Sequence, residues 1–290
     1  MKLLSALALL GFGTVGVGGW YGFSTLRPKN LQQYLEWQGF ELASKTEGNI
    51  WKSILDEHKE IVKSRIGKTD PKESDIRNWC SSHLSISNYE FFKDDASKIC
   101  VNNPHTVRAK IILQDGSISS LIEGLNDSKG EKYKVAYIFR KHIEGVPELI
   151  GFIPPSKEEG TENLEGGGKA LGEWCQKSLE SKPDDQLVKN VRLLCSPKSF
   201  TTIKELIKLN KEEELLLTAE ANSKELSEKY AEIKDKDSWT KDETKGSSSP
   251  DSQESLKKWC QTHESKKFSE EGTFSNVYPK FRFRCMKSRS

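Results

Sequence analysis

The dipeptide Trp-Cys occurs three times in this chain, each time in the same surroundings. It closes the segments Ile76-Arg-Asn-Trp79-Cys80, Leu171-Gly-Glu-Trp174-Cys175 and Leu256-Lys-Lys-Trp259-Cys260. An aliphatic residue sits three positions before each Trp. One further cysteine follows each copy: Cys100, Cys195 and Cys285. All six cysteines are used in this way. On a helix, positions i, i+3 and i+4 share a face, so an aliphatic group, an indole and a sulfur form one apolar patch. The closing cysteine lies 20, 20 and 25 positions on. That is far enough for a second segment to fold back onto the patch.

The chain therefore reads as three small modules in series, 28–103, 104–196 and 197–290. Each opens on a proline: Pro28, Pro104, Pro197. Such units are longer than solenoid repeats. The repeat favours the pairs Cys80–Cys100, Cys175–Cys195 and Cys260–Cys285 among the pairings six cysteines allow. Each bridge would close a loop worth about 3 kcal/mol in the chain-entropy model. The alternative is a set of reduced, buried cysteines acting as small apolar residues.

Hydrophobic residues make up 34% of the chain and charged residues 30%, which suits several small cores better than one large one. Lys and Arg number 45 against 43 Asp and Glu, well interspersed, which argues against a nucleic-acid surface. The fold expected is mainly α with minor β. Apolar spacing predicts a helix over 49–65 ended by Gly67, and helices through the Trp-Cys segments. The opening segments at Leu31–Leu35 and Ile203–Ile207 and the stretch 211–233 also read as helical. Strands are expected at Lys132–Arg140, Leu149–Ile153 and Phe281–Cys285, from aromatic and β-branched content or alternation. Segments 156–168, with Gly166-Gly-Gly168, and 234–252, almost free of aliphatics, read as flexible linkers.

The N-terminus carries no charge from Leu3 to Leu26. As a helix that run could span a bilayer, which takes about 20 apolar residues. Two readings stay open: a signal or transmembrane anchor within 1–27 that is retained, or a secretory signal that is cleaved. Gly11-Phe-Gly13-Thr-Val-Gly16 fits a dinucleotide fingerprint, yet it sits in an apolar N-terminal run, more Gly and aromatic residues follow it, and no acidic residue stands at the required distance. No cofactor is expected. Cys80-Ser-Ser-His83 and Cys260-Gln-Thr-His263 have zinc-ligand spacing, but Ser178 stands where the middle module would need its histidine. No metal is expected, and His83 and His263 read as solvent-facing. The other histidines are scattered, no nucleophile motif is present, and no catalytic residue is assigned.

An N-terminal Leu-Leu-Ser-Ala-Leu segment precedes repeated aliphatic-x-x-Trp-Cys units. After each of the first two closing cysteines the chain restarts on a proline, as Cys100-Val-Asn-Asn-Pro104-His-Thr-Val107 and Cys195-Ser-Pro197. This layout resembles the large paralogous families of uncharacterised exported proteins in haemotropic mycoplasmas. It departs from them in the residue before the closing cysteine, which is not Trp. The resemblance implies a surface-displayed, divergent paralogue that contributes to host interaction or antigenic variability. The expectation is a single-pass surface protein held in the membrane by residues 3–26, with an extracellular C-terminal region and an unidentified host protein or cell-surface partner. Secretion after signal cleavage is the alternative location. A secreted hydrolase with an unrecognised site and an inner-face scaffold are the alternative functions.

Overall fold

The computed structural model describes residues 27–153, 161–242 and 252–287. The expected N-terminal anchor, and the parts of the expected linkers at 156–160 and 243–251, lie outside these residues. The described chain is mainly helical and divides into two compact units, one ending at Asn103 and the other starting at Pro104. The second and third modules lie within one compact unit, in which each keeps a hydrophobic core of its own.

The first unit contains α1 (Leu31–Trp37), α2 (Ile50–Glu57), α3 (Lys59–Ile66), α4 (Glu73–His83) and α5 (Lys93–Ile99). The helix expected over 49–65 is two helices that meet at His58, and Gly67 closes α3 in the left-handed region. Its N–H donates to Lys63 O at 2.8 Å, the usual glycine stop. Lys68 and the Lys72 backbone N–H both reach Asp75, at 2.7 and 2.9 Å, which starts α4. The core is Leu31, Leu35, Ile54, Val62, Ile76 and Ile99, all buried.

The second unit contains α6 (Val107–Asp115), α7 (Lys129–Ile138), α8 (Val146–Leu149), α9 (Leu164–Leu179) and α10 (Asp185–Leu194) from the middle module. The third module adds α11 (Ile203–Leu209), α12 (Ser223–Ile233), α13 (Asp237–Thr240), α14 (Gln253–His263) and α15 (Tyr278–Cys285). A π-helical turn at Thr273–Val277 leads into α15.

Three sequence-based expectations are corrected here. The strands at 132–140, 149–153 and 281–285 do not form; the first is α7, the second follows α8 and the third is α15. Among the described residues the only β pairings are isolated bridges, such as Leu42 with Val101 and Leu216 with Met286. The reason for the misreading is burial on two sides. Tyr133, Ala136 and Tyr137 of α7 enter the middle module's core, while Val135 and Phe139 enter the third module's. A helix that buries residues against two cores shows no single apolar stripe. The stretch 211–233 is helical only from Ser223, after two short 3-10 turns.

The linkers are the second correction. Gly166, Gly167 and Gly168 lie inside α9; Gly167 and Gly168 let it press against α7, and Gly166 lies against the Phe152 ring. A Cβ on Gly167 would fall 2.1 Å from the Tyr137 ring, and one on Gly168 3.1 Å from the Lys134 backbone. Third, the segment expected to be a linker from 234 carries α13, whose Trp239 is completely buried.

Gly167→Ala is expected to destabilise the second unit by about 1–3 kcal/mol, as overpacking does. Gly130, on the open side of α7, would meet nothing within 4 Å of an added methyl. Gly130→Ala is expected to be neutral or to gain up to about 1 kcal/mol. Denaturant melts of the two variants, side by side, read the contrast; equal effects would remove the packing role of the glycine face.

Candidate functional site

All six cysteines are bonded, as Cys80–Cys100, Cys175–Cys195 and Cys260–Cys285. Each joins a Trp-Cys helix to the C-terminal end of the module's closing helix. Ile76, Leu171 and Leu256 are fully buried behind these bridges, as their spacing requires. Trp259 is buried too, whereas Trp79 and Trp174 are only partly covered.

Around each bridge the same backbone bonds recur. The carbonyl of the closing cysteine accepts an N–H from the segment after the opening helix: Ala43 at 2.9 Å, Ile122 at 2.8 Å and Leu217 at 2.9 Å. The first residue of each opening helix donates to a carbonyl six positions beyond the Trp-Cys cysteine. These pairs are Leu31 to Ile86, Val107 to Ser181 and Ile203 to Lys266. Asn30, Thr106 and Thr202 cap the three opening helices with their side chains.

The histidines expected to face solvent instead stack on the tryptophans. The Trp79 and His83 rings lie 4.2 Å apart, and Trp259 and His263 4.1 Å apart. In each pair Nδ1 donates to the tryptophan carbonyl, at 2.8 and 2.7 Å. His263 is buried, and its pKa is depressed, chiefly by that burial. With both cysteines in disulfides, the Cys-x-x-His spacing serves a packed helix end. Among the described residues no cluster of three metal-ligating side chains is found.

Beside Trp259 lies a buried ion pair. The Arg284 guanidinium is sandwiched between Trp239, 5.2 Å away, and Trp259, 4.7 Å away. Its Nη1 donates to Asp242 at 2.5 Å, and its Nη2 donates to the Ser238 carbonyl. Lys280 reaches the same carboxylate at 3.2 Å. Sequence reasoning missed this cluster because Trp239 and Asp242 sit in a stretch with hardly any aliphatic residues.

A cleft of about 320 Å³ lies along the open edge of the α7–α9 packing. Its polar floor is Glu123. The Tyr133 hydroxyl donates to Glu123 Oε1 at 2.8 Å, Gln176 donates to it at 3.2 Å, and Lys129 reaches Oε2 at 3.4 Å. Burial pushes the Glu123 pKa up, but the donors outweigh it and hold the carboxyl below its ordinary value. Burial and Glu123 together push the Tyr133 pKa upward. Glu123 is thus a fixed acceptor and Tyr133 a fixed donor. Such a pair can orient a polar ligand; it has no poised acid, base or nucleophile. Lys134 and Lys169 at the rim pair with Glu165 and Glu173. Sequence reasoning assigned none of these residues, and the spacing of Glu123, Tyr133 and Gln176 gives no motif to find them by.

No family model, curated protein or solved structure matches this chain.

Because the folded chain holds His263 below the ordinary histidine value of 6.5, the unfolded chain binds the proton more readily. Stability is present above that pH and is lost as pH falls through it toward the folded-state value. Thermal melts from about pH 7.5 down to about pH 5.5 are expected to show this loss, reduced in His263→Gln. An unchanged slope in that variant would exclude His263 as its source. Asp242→Ala is expected to cost about 3–5 kcal/mol, since it strands the buried Arg284 charge. Denaturant melts measure it.

Proposed function

We propose that this chain is an exported, surface-displayed protein, held in the membrane by residues 3–26, whose stapled modules form a binding scaffold rather than a catalyst. The observation that carries this reading is the closure of all six cysteines into disulfides within modules. Disulfides used structurally in this way belong to oxidising compartments outside the cytosol. An apolar N-terminal run supplies the export signal that such a location needs. Among the described residues no helix is long and apolar enough to cross a membrane, so membrane attachment rests on 3–26.

The recurring capping residues and backbone bonds support the modules as copies of one unit. Copying with divergence leaves the clasp intact and lets the surface vary, which suits a host protein or cell-surface partner. The resemblance to exported proteins of haemotropic mycoplasmas points the same way. Near the start of the described residues the surface carries an ion pair and an exposed aromatic. Arg27 pairs with Glu90 at 2.9 Å, and the next residue, Phe91, is 82% exposed.

Two measurements test this reading. Peptide mapping of native material without reductant is expected to recover the three within-module pairs; six free thiols would remove its basis. Protease added to intact cells is expected to release fragments from 104–290. Full protection of the chain, while a known surface protein is cut, would place it inside.

A further inference from the structure

The junction between the two modules of the second unit holds a buried cation with no carboxylate partner among the described residues. Arg140 follows α7 and is 5% exposed. Its Nη2 donates to the Ser196 carbonyl at 2.9 Å and to Ser196 Oγ at 3.0 Å. Its Nη1 is buried and bonds to nothing. Among the described residues no carboxylate pairs with it.

A second cation stands beside it. Lys198, two residues beyond Ser196, holds its ammonium 5.7 Å above the Phe139 ring. It too has no acidic partner among the described residues. Burial lowers the pKa of both groups, and for Lys198 the nearby Arg140 charge lowers it further. An arginine cannot relieve such a position by losing its proton. A desolvated guanidinium without a counter-ion is unfavourable. A lysine at the same place adds repulsion. Two cations arranged so, with one donor unused, are complementary to an anion.

The surroundings hold the pair rigidly. Phe139 lies edge-on to Phe200, Phe268 and Phe274 at 4.9–5.0 Å, which fixes the end of α7. Ser196 follows the bonded Cys195, which fixes the other wall. Arg140 is covered and Lys198 only half-covered, so Lys198 forms the mouth.

We propose that Arg140, Ser196 and Lys198 form a binding site for a small oxyanion, a phosphate or a carboxylate, at the junction of the second and third modules. The guanidinium Nη1 and the Lys198 ammonium donate to the anion, and Ser196 holds the guanidinium in place. Charge-assisted donors of this kind match the oxygens of either group.

The test uses the full chain and isothermal calorimetry, with sodium phosphate in one arm and sodium acetate in the other at constant ionic strength. Saturable one-to-one binding of either anion is expected, and the arm that binds names the anion class. Lys198→Gln is expected to weaken it about ten-fold or more, as loss of a charge-assisted donor does. Arg140→Met is expected to abolish it. Without added anion, Arg140→Met is expected to melt at or above the wild-type temperature, because the uncompensated charge is gone. Absence of binding to the wild-type chain in both arms would overturn the site. So would binding that Lys198→Gln leaves undiminished.

Discussion

Each module depends on one clasp: a disulfide whose second cysteine also gives its backbone carbonyl to the opening segment. The covalent bond fixes the Trp-Cys helix to the closing helix. The hydrogen bonds from Ala43, Ile122 and Leu217 then fasten the start of the module to the same point. Three segments far apart in sequence thus meet within a few ångströms. For cores this small the loop-closure contribution, about 3 kcal/mol for each bridge, is a large share of net stability. The aliphatic residue before each Trp-Cys pair fills the space behind the bridge, which is why Ile76, Leu171 and Leu256 are fully buried while two of the tryptophans are not.

A clasp of this kind organises a module but does not decide how modules associate. That falls to two other features of the second unit. One is α7, which lends one face to each core and ends in Phe139 among three edge-on rings. The other is an exchange of helix caps. Glu271 of the third module accepts the N–H groups of Glu162, Asn163 and Leu164 at the start of α9. Glu162 accepts those of Gly272 and Ser275, at 2.9 and 2.5 Å, at the start of the π-helical turn. Each carboxylate meets the positive end of the other module's helix, so both N-termini gain acceptors only when the modules are together.

The legible part of this fold was its local chemistry. The Trp-Cys helices, the Gly67 stop and the disulfide pairs follow from spacing, glycine geometry and the recurrence of one motif. What was not legible depends on partners distant in sequence. Lys132–Arg140 has the composition of a strand, and only burial against two cores makes it a helix. Gly166-Gly-Gly168 reads as a linker until Tyr137 and Lys134 are seen pressed against it. Trp239 stands alone in a polar stretch, and its partner Arg284 lies far along the chain, in α15. The residues of the α7–α9 cleft likewise converge from α7, α9 and the turn before α7, with no shared sequence pattern.

The two buried arginines of the second unit are compensated to different degrees. Arg284 is compensated: it has Asp242, a carbonyl and two indole faces, so its desolvation is largely offset. Arg140 has only Ser196. A hydrophobic residue there would pack against the Phe139 cluster at lower cost, as buried charges replaced by apolar side chains often show. The contrast is within one body and between residues of the same type, so it does not reflect a general tolerance of buried arginine. The second unit closes one guanidinium inside a cage and leaves the other with an unused donor. The first is a strut between α13, α14 and α15. The second makes physical sense as half of an interaction whose other half is an anion.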